Sequence, residues 1–129
     1  MANITGYLID IASDEEARPV TVEHSLQSFY KLLNCDMIEI TPRRIGRDNR
    51  LYDIICDEEG LLKGAPTVSA YATDDEPVLV GSLLIVNMGE DDVESLTPDD
   101  IKYIRDYVCD LIDLSKGTIH PILTQCDYA

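Results

Sequence analysis

Val78-Leu-Val-Gly-Ser-Leu-Leu-Ile-Val86 is the most apolar stretch of the chain, and the fold turns on how it is read. It reads as a central strand with a bend or bulge at Gly81, where a strand loses its side chain and its regular ladder. Working back from it, residues 63–77 carry two glycine/proline breaks and the acidic Asp74-Asp-Glu76, and read as a long connection. Before that, Leu51-Tyr-Asp-Ile-Ile-Cys56 is a strand, Asp57-Glu-Glu-Gly60 a tight turn, and Leu61-Leu62 the start of a return strand. Asp36-Met-Ile-Glu-Ile40 is a further strand, joined to Leu51 by a loop or hairpin tip over residues 41–50. Val22, Leu26, Phe29, Tyr30 and Leu33 recur at helical spacing, with Thr21 or Ser25 as the cap and Asn34 as the stop. Gly6 to Ala12 reads as the first strand, residues 13–19 as a loop, and Pro19-Val-Thr-Val22 as a short strand returning against the first.

Working forward, Thr97 is placed to cap a second helix. Pro98 takes its first position, and Asp99 and Asp100 sit where the helix dipole favours negative charge. Ile101, Ile104, Val108, Leu111 and Ile112 line one face, and Gly117 is placed to end the helix. The tail over residues 118–129 is partly apolar and reads as an edge strand or as a segment that docks on a partner. The expected fold is α+β over residues 1–129 as one domain: a mainly antiparallel sheet with two helices packed on one face.

With 129 residues, 45% of them apolar, the chain has enough material for one core. Acidic residues number 25 against 10 basic ones, a net charge of −15. That balance argues against direct nucleic-acid binding and against an anionic membrane surface, both of which need basic faces. No apolar run has the length of a membrane span, and the start lacks the basic-then-apolar pattern of a signal peptide. The expectation is a soluble, cytoplasmic, acidic protein.

The chemical inventory is thin. There is no nucleophile elbow, no phosphate loop ending in Gly-Lys-Ser/Thr and no His-Glu-x-x-His; Gly60-Leu-Leu-Lys-Gly64 has the wrong spacing for a phosphate loop and reads as a hairpin. Cys35, Cys56, Cys109 and Cys126 form no Cys-x-x-Cys pair and read as reduced, buried residues. His24 and His120 are the only histidines, and neither has a legible role. Acidic clusters stand at Asp57, Glu58 and Glu59, at Asp74, Asp75 and Glu76, and at Glu90, Asp91, Asp92 and Glu94. Neighbouring loop carboxylates diverge where calcium or magnesium needs convergence, so no metal or other cofactor is expected. These residues are instead candidates for an acidic interaction surface. Against that background residues 41–50 stand out, with Arg43, Arg44, Arg47 and Arg50 against Asp48 alone, a net +3. Arginine's planar fork suits phosphate or carboxylate, so the four are candidate anion-binding residues; the alternative is that they neutralise the protein's own carboxylates.

The order of several segments resembles the domain-of-unknown-function 3846 family of phages and conjugative elements. The resembling segments are Val20-Thr-Val-Glu-His-Ser-Leu26, Met37-Ile-Glu-Ile40, Ile55-Cys-Asp-Glu-Glu-Gly-Leu-Leu-Lys-Gly-Ala-Pro66, Val80-Gly-Ser-Leu-Leu-Ile-Val86 and Ser95-Leu-Thr-Pro-Asp99. The resemblance implies a mobile-element setting and carries over no catalytic residues. Together with the charge, it leads to the expectation of a non-enzymatic accessory protein that binds a host or element protein. A DNA-binding protein, occupied by mimicry of DNA, is the sharper form of that partner. The alternative is a binder of a small anion such as a nucleotide, working through residues 43–50, with a homodimer allowed.

Overall fold

The computed structural model describes residues 2–11, 16–59, 68–74, 76–113 and 117–128. The elements are β1 (Asn3–Ile9), β2 (Arg18–Glu23), α1 (Leu26–Leu33), β3 (Ile38–Ile45), β4 (Arg50–Asp57), β5 (Val68–Tyr71), β6 (Pro77–Val80), β7 (Leu83–Met88), β8 (Val93–Glu94), α2 (Pro98–Arg105), β9 (Val108–Asp113), β10 (Thr118–Leu123) and β11 (Cys126–Tyr128). They form two sheets. The larger has the order β11-β3-β4-β7-β1-β2, with β8 on the end of β7; the smaller has the order β6-β5-β10-β9. All pairings are antiparallel except β5 with β10.

The apolar stretch at 78–86 is therefore two strands in two sheets and not one bent strand. Gly81 sits at φ +79°, a left-handed conformation that turns the chain out of β6, and β7 then enters the larger sheet. A bulge would have kept both halves in one ladder. A Cβ on Gly81 would meet no atom within 4 Å, so only the backbone opposes a side chain there. Gly81→Ala is expected to cost about 1 kcal/mol in denaturant unfolding, the penalty of a left-handed alanine alone.

β7 is the centre of the larger sheet, hydrogen-bonded to β1 on one side and β4 on the other. Leu83, Leu84, Ile85 and Val86 are all fully buried, which requires cover on both faces of the sheet. Period two sends Leu84 and Val86 into a cluster with Ile4, Leu8 and Ile55, closed by Phe29 and Leu33 of α1. Leu83 and Ile85 enter a second cluster with Tyr7, Ile9 and Ile54, closed by Ile104 of α2 and by Ala70, Leu79 and Leu123 of the smaller sheet. The α+β class with a mostly antiparallel arrangement stands, but the helices do not share a face: each helps to close a different core.

The first hairpin forms as its sequence suggests, with Gly6 opposite Val20. Its ladder reaches Glu23, so Val22 pairs with Ile4 in β2 and does not join the helix. α1 starts after Ser25, whose hydroxyl accepts from the Ser28 N–H at 3.2 Å, and stops at Asn34 with φ +52°. α2 starts at the expected cap but runs only to Arg105. Val108 onward is β9, paired along its length with β10 (Ile112 opposite Ile119), and Gly117, at φ +67°, lies in the connection between them. Cys109 is consequently exposed on a strand, whereas Cys35, Cys56 and Cys126 are buried thiols. The tail supplies both an interior strand, β10, and an edge strand, β11, which pairs with β3. β5 lies within the stretch read as a connection. The turn glycine at 60, the return strand at 61–62 and the 60–64 hairpin lie outside the described residues. No helix among the described residues is long and apolar enough to cross a membrane.

Candidate functional site

Residues 41–50, expected as a loop or a hairpin tip, form the end of the β3–β4 hairpin. Thr41 to Ile45 belong to β3, the turn occupies 46–49, and Arg50 opens β4. Strand alternation therefore separates the arginines that looked like one cluster. Arg44 is exposed, and its Nη1 donates to the Asn49 carbonyl at 3.3 Å. Arg47 is exposed in the turn. Arg50 pairs with Asp99 at 3.0 Å and lies over the Tyr103 ring, 4.1 Å from its centroid. For Arg50, neutralisation of the protein's own carboxylates is the outcome. Arg43 alone turns inward, with 9% of its surface exposed.

Arg43 lines a cleft of about 330 Å³ between the two sheets. Glu39, Thr41 and Arg43 come to it at alternate positions of β3, beside Cys56 and Asp57 of β4, with Glu58 at the rim. β6 forms the opposite, apolar wall, and Tyr128 of β11 closes one side. Register explains the company: Cys56 stands opposite Glu39, and Tyr128 opposite Arg43. Arg43 Nη1 donates to Thr41 Oγ1 and, at 2.8 Å, to the Pro42 carbonyl. The guanidinium stacks on Tyr128, 4.4 Å from the ring centroid. Its Nε is buried and has no acceptor among the described residues. Among the described residues no carboxylate lies within ion-pair distance of it.

The neighbouring thiols supply no counter-charge. Burial pushes Cys56 up to about 12, with Glu39 adding to the rise, and burial pushes Cys126 to about 12 as well. Both are protonated at neutral pH, which also removes them as nucleophiles in this state. A charge taken out of water needs a partner, and burying one without a partner is costly. Arg43 thus holds its charge in a cleft with an apolar wall, without a carboxylate in ion-pair distance among the described residues.

The acidic candidates do not converge. Asp57 and Glu58 reach the cleft, while the Asp57 carboxylate also accepts from the Glu59 N–H at 2.9 Å. Asp74 accepts from the Glu76 N–H at 3.2 Å in the turn between β5 and β6; Asp75 lies outside the described residues. Glu90, Asp91, Asp92 and Glu94 follow the far end of β7, where Asp92 meets His24 at 3.2 Å. Cys56, next to Asp57, pairs with Leu83 at the near end of β7, so these two acidic groups sit at opposite ends of the central strand. Among the described residues no three His, Cys, Asp or Glu side chains are arranged to hold a metal ion. His120 is buried on β10, and its Nε2 has no partner among the described residues. Glu39, Thr41 and Tyr128 are cleft residues that a linear reading misses; the spacing Glu39-x-Thr41-x-Arg43 signals a shared face only once the segment is known to be a strand.

The family model described as Domain of unknown function (DUF3846) matches residues 4–109. No curated protein and no solved structure matches the chain.

Proposed function

We propose that this chain, which belongs to the DUF3846 family, is a non-enzymatic binding protein whose cleft between the sheets receives an anionic group on Arg43. The observation that carries the reading is the nine-tenths-buried guanidinium whose Nε lacks an acceptor and which has no carboxylate within ion-pair distance among the described residues. This narrows the anion-binding alternative to one arginine. A ligand that binds only the folded state at a hundred times its Kd stabilises by roughly 2.7 kcal/mol, so it is detected as a rise in Tm. The test is to denature the purified protein, identify released small molecules by mass spectrometry, and follow Tm against inorganic phosphate and simple carboxylates. Arg43→Met is expected to abolish every anion-dependent rise. It should leave ligand-free stability within about 1 kcal/mol of wild type, because an apolar isostere removes a buried charge as well as its contacts. Arg47→Ala is expected to change neither. Equal responses in wild type and Arg43→Met would sink the reading.

A role as an acidic accessory protein of a phage or mobile element is the second reading. It is supported by the net charge of −15 and by the exposed Glu90 and Asp91. A basic or DNA-binding protein partner would then be gripped through carboxylates, and its binding would weaken steeply with added salt. Salt-independent association would count against it.

A further inference from the structure

The geometry points to a zwitterionic ligand for the Arg43 cleft: a carboxylate on Arg43 carrying a cationic group at the distance found in a basic amino acid, either free or as the C-terminal residue of a peptide. The inference rests on the anion-binding reading above and adds the ligand's second charge and its reach.

Arg43 uses Nη1 for Thr41 and Pro42, which leaves the Nε–Nη2 edge of the fork facing no protein acceptor among the described residues. That edge carries two parallel N–H groups and takes one carboxylate side-on once the groups that cover the buried Nε move aside. The rest of the rim has the opposite sign. Glu39 and Glu58 are exposed at the mouth, and neither has an ion-pair partner among the described residues. A phosphate, carrying up to roughly two negative charges, would meet these carboxylates for the gain of one guanidinium. A carboxylate with a cation attached satisfies both.

The spacing selects which cation. The Arg43 side chain leans back along β3 to reach Thr41, so its head lies near that residue, and Glu39 is two residues further along the same face. Two strand residues span roughly 7 Å. An α-ammonium lies too close to its own carboxylate to bridge that distance, whereas the side-chain ammonium of an extended lysine reaches it. Val78 and Leu79 offer the methylene chain an apolar wall. The volume, about 330 Å³, stands at the small end of ligand sites and is enough for one amino-acid residue.

The experiment is calorimetric titration of the full chain with Nα-acetyl-L-lysine, free L-lysine, Nα-acetyl-norleucine, Nα-acetyl-lysine amide and inorganic phosphate. Nα-acetyl-lysine, lysine or both are expected to bind, with the acetylated form favoured if the source is a peptide end and the free form if it is the amino acid. The norleucine analogue, which lacks the cation, should bind at least tenfold more weakly, and the amide, which lacks the carboxylate, should not bind. Glu39→Gln with Glu58→Gln should cut the preference for lysine over norleucine severalfold, the Asp57 carboxylate remaining, while leaving the carboxylate bound. Arg43-dependent binding of phosphate or norleucine as tight as that of lysine would overturn the zwitterion and leave the anion site standing. Absence of Arg43-dependent binding for every probe would remove both. Circular dichroism of each variant separates lost binding from lost folding.

Discussion

Gly46→Ala is expected to destabilise the protein by about 2–4 kcal/mol, combining a left-handed alanine with an overpacked contact. Gly46 ends β3 at φ +76°, and its N–H donates to the Gln125 carbonyl at 2.9 Å. A Cβ there would collide with the Tyr103 hydroxyl and the Tyr107 ring. Those tyrosines cannot easily yield. The Tyr103 hydroxyl donates to the Ile45 carbonyl at 2.5 Å and accepts from the Asp48 N–H at 3.2 Å, while the Tyr107 hydroxyl accepts from the Arg47 N–H at 3.2 Å. Their rings lie 5.1 Å apart, so moving one disturbs the other. Gly81→Ala is the internal control, because it shares the positive φ and lacks the collision. The difference between the two variants in denaturant midpoint, at equal m-value, reports the contact alone. Equal losses would mean that the aromatic clamp has room to give.

Local, chemical signals were legible in the linear chain. Ser25, Asn34 and the Thr97-Pro98-Asp99-Asp100 start act through bonds within a few residues, and no distant element alters them. Elsewhere distant pairing outweighs the local pattern. Val108, Leu111 and Ile112 continue a helical stripe from Ile101 and Ile104, yet the ladder with β10 claims them as a strand. Helical spacing and strand burial are both compatible with so short an apolar run. Gly81 was legible as an interruption, but whether the chain rejoins the same ladder or enters another depends on β5 and β4, its eventual neighbours.

The candidate site shows the same division. An excess of arginine at 43–50 is visible in the linear chain, and Arg43 is among those residues. Its separation from Arg44, Arg47 and Arg50 follows from strand alternation, which an expectation left open between a loop and a hairpin tip does not resolve. The cleft itself joins residues near 40, 57, 78 and 128, four places that only the two-sheet topology brings together.

Asp100→Ala is expected to cost about 2 kcal/mol, since it strips a part-buried hydrogen-bond network and a helix cap together. The Asp100 carboxylate, 16% exposed, accepts from the Thr97 N–H at 3.0 Å, the Thr97 hydroxyl at 2.8 Å, Asn87 Nδ2 at 2.7 Å and the Tyr52 hydroxyl at 2.9 Å. It thereby ties the start of α2 to β7 and β4. Burial alone would raise its pKa; the bonds from Thr97, Asn87 and Tyr52 outweigh burial and hold it below the ordinary 3.8. The sign of the pH dependence follows. Between the folded and unfolded values the unfolded chain binds the proton and the folded chain does not, so stability rises with pH across that window. The contribution is whole above the unfolded value and is lost as pH falls through the lower, folded one. Asp53 acts in the opposite sense, because burial raises its pKa, and it therefore blunts the wild-type profile. Asp100→Asn keeps the shape and removes the ionisation, so subtracting its profile from that of wild type cancels Asp53. The difference in unfolding free energy should be largest above pH 4 and shrink as the solution is acidified below it. A difference that stays constant with pH would show that Asp100 contributes packing and neutral hydrogen bonds, and that its charge is not what holds the helix to the sheet.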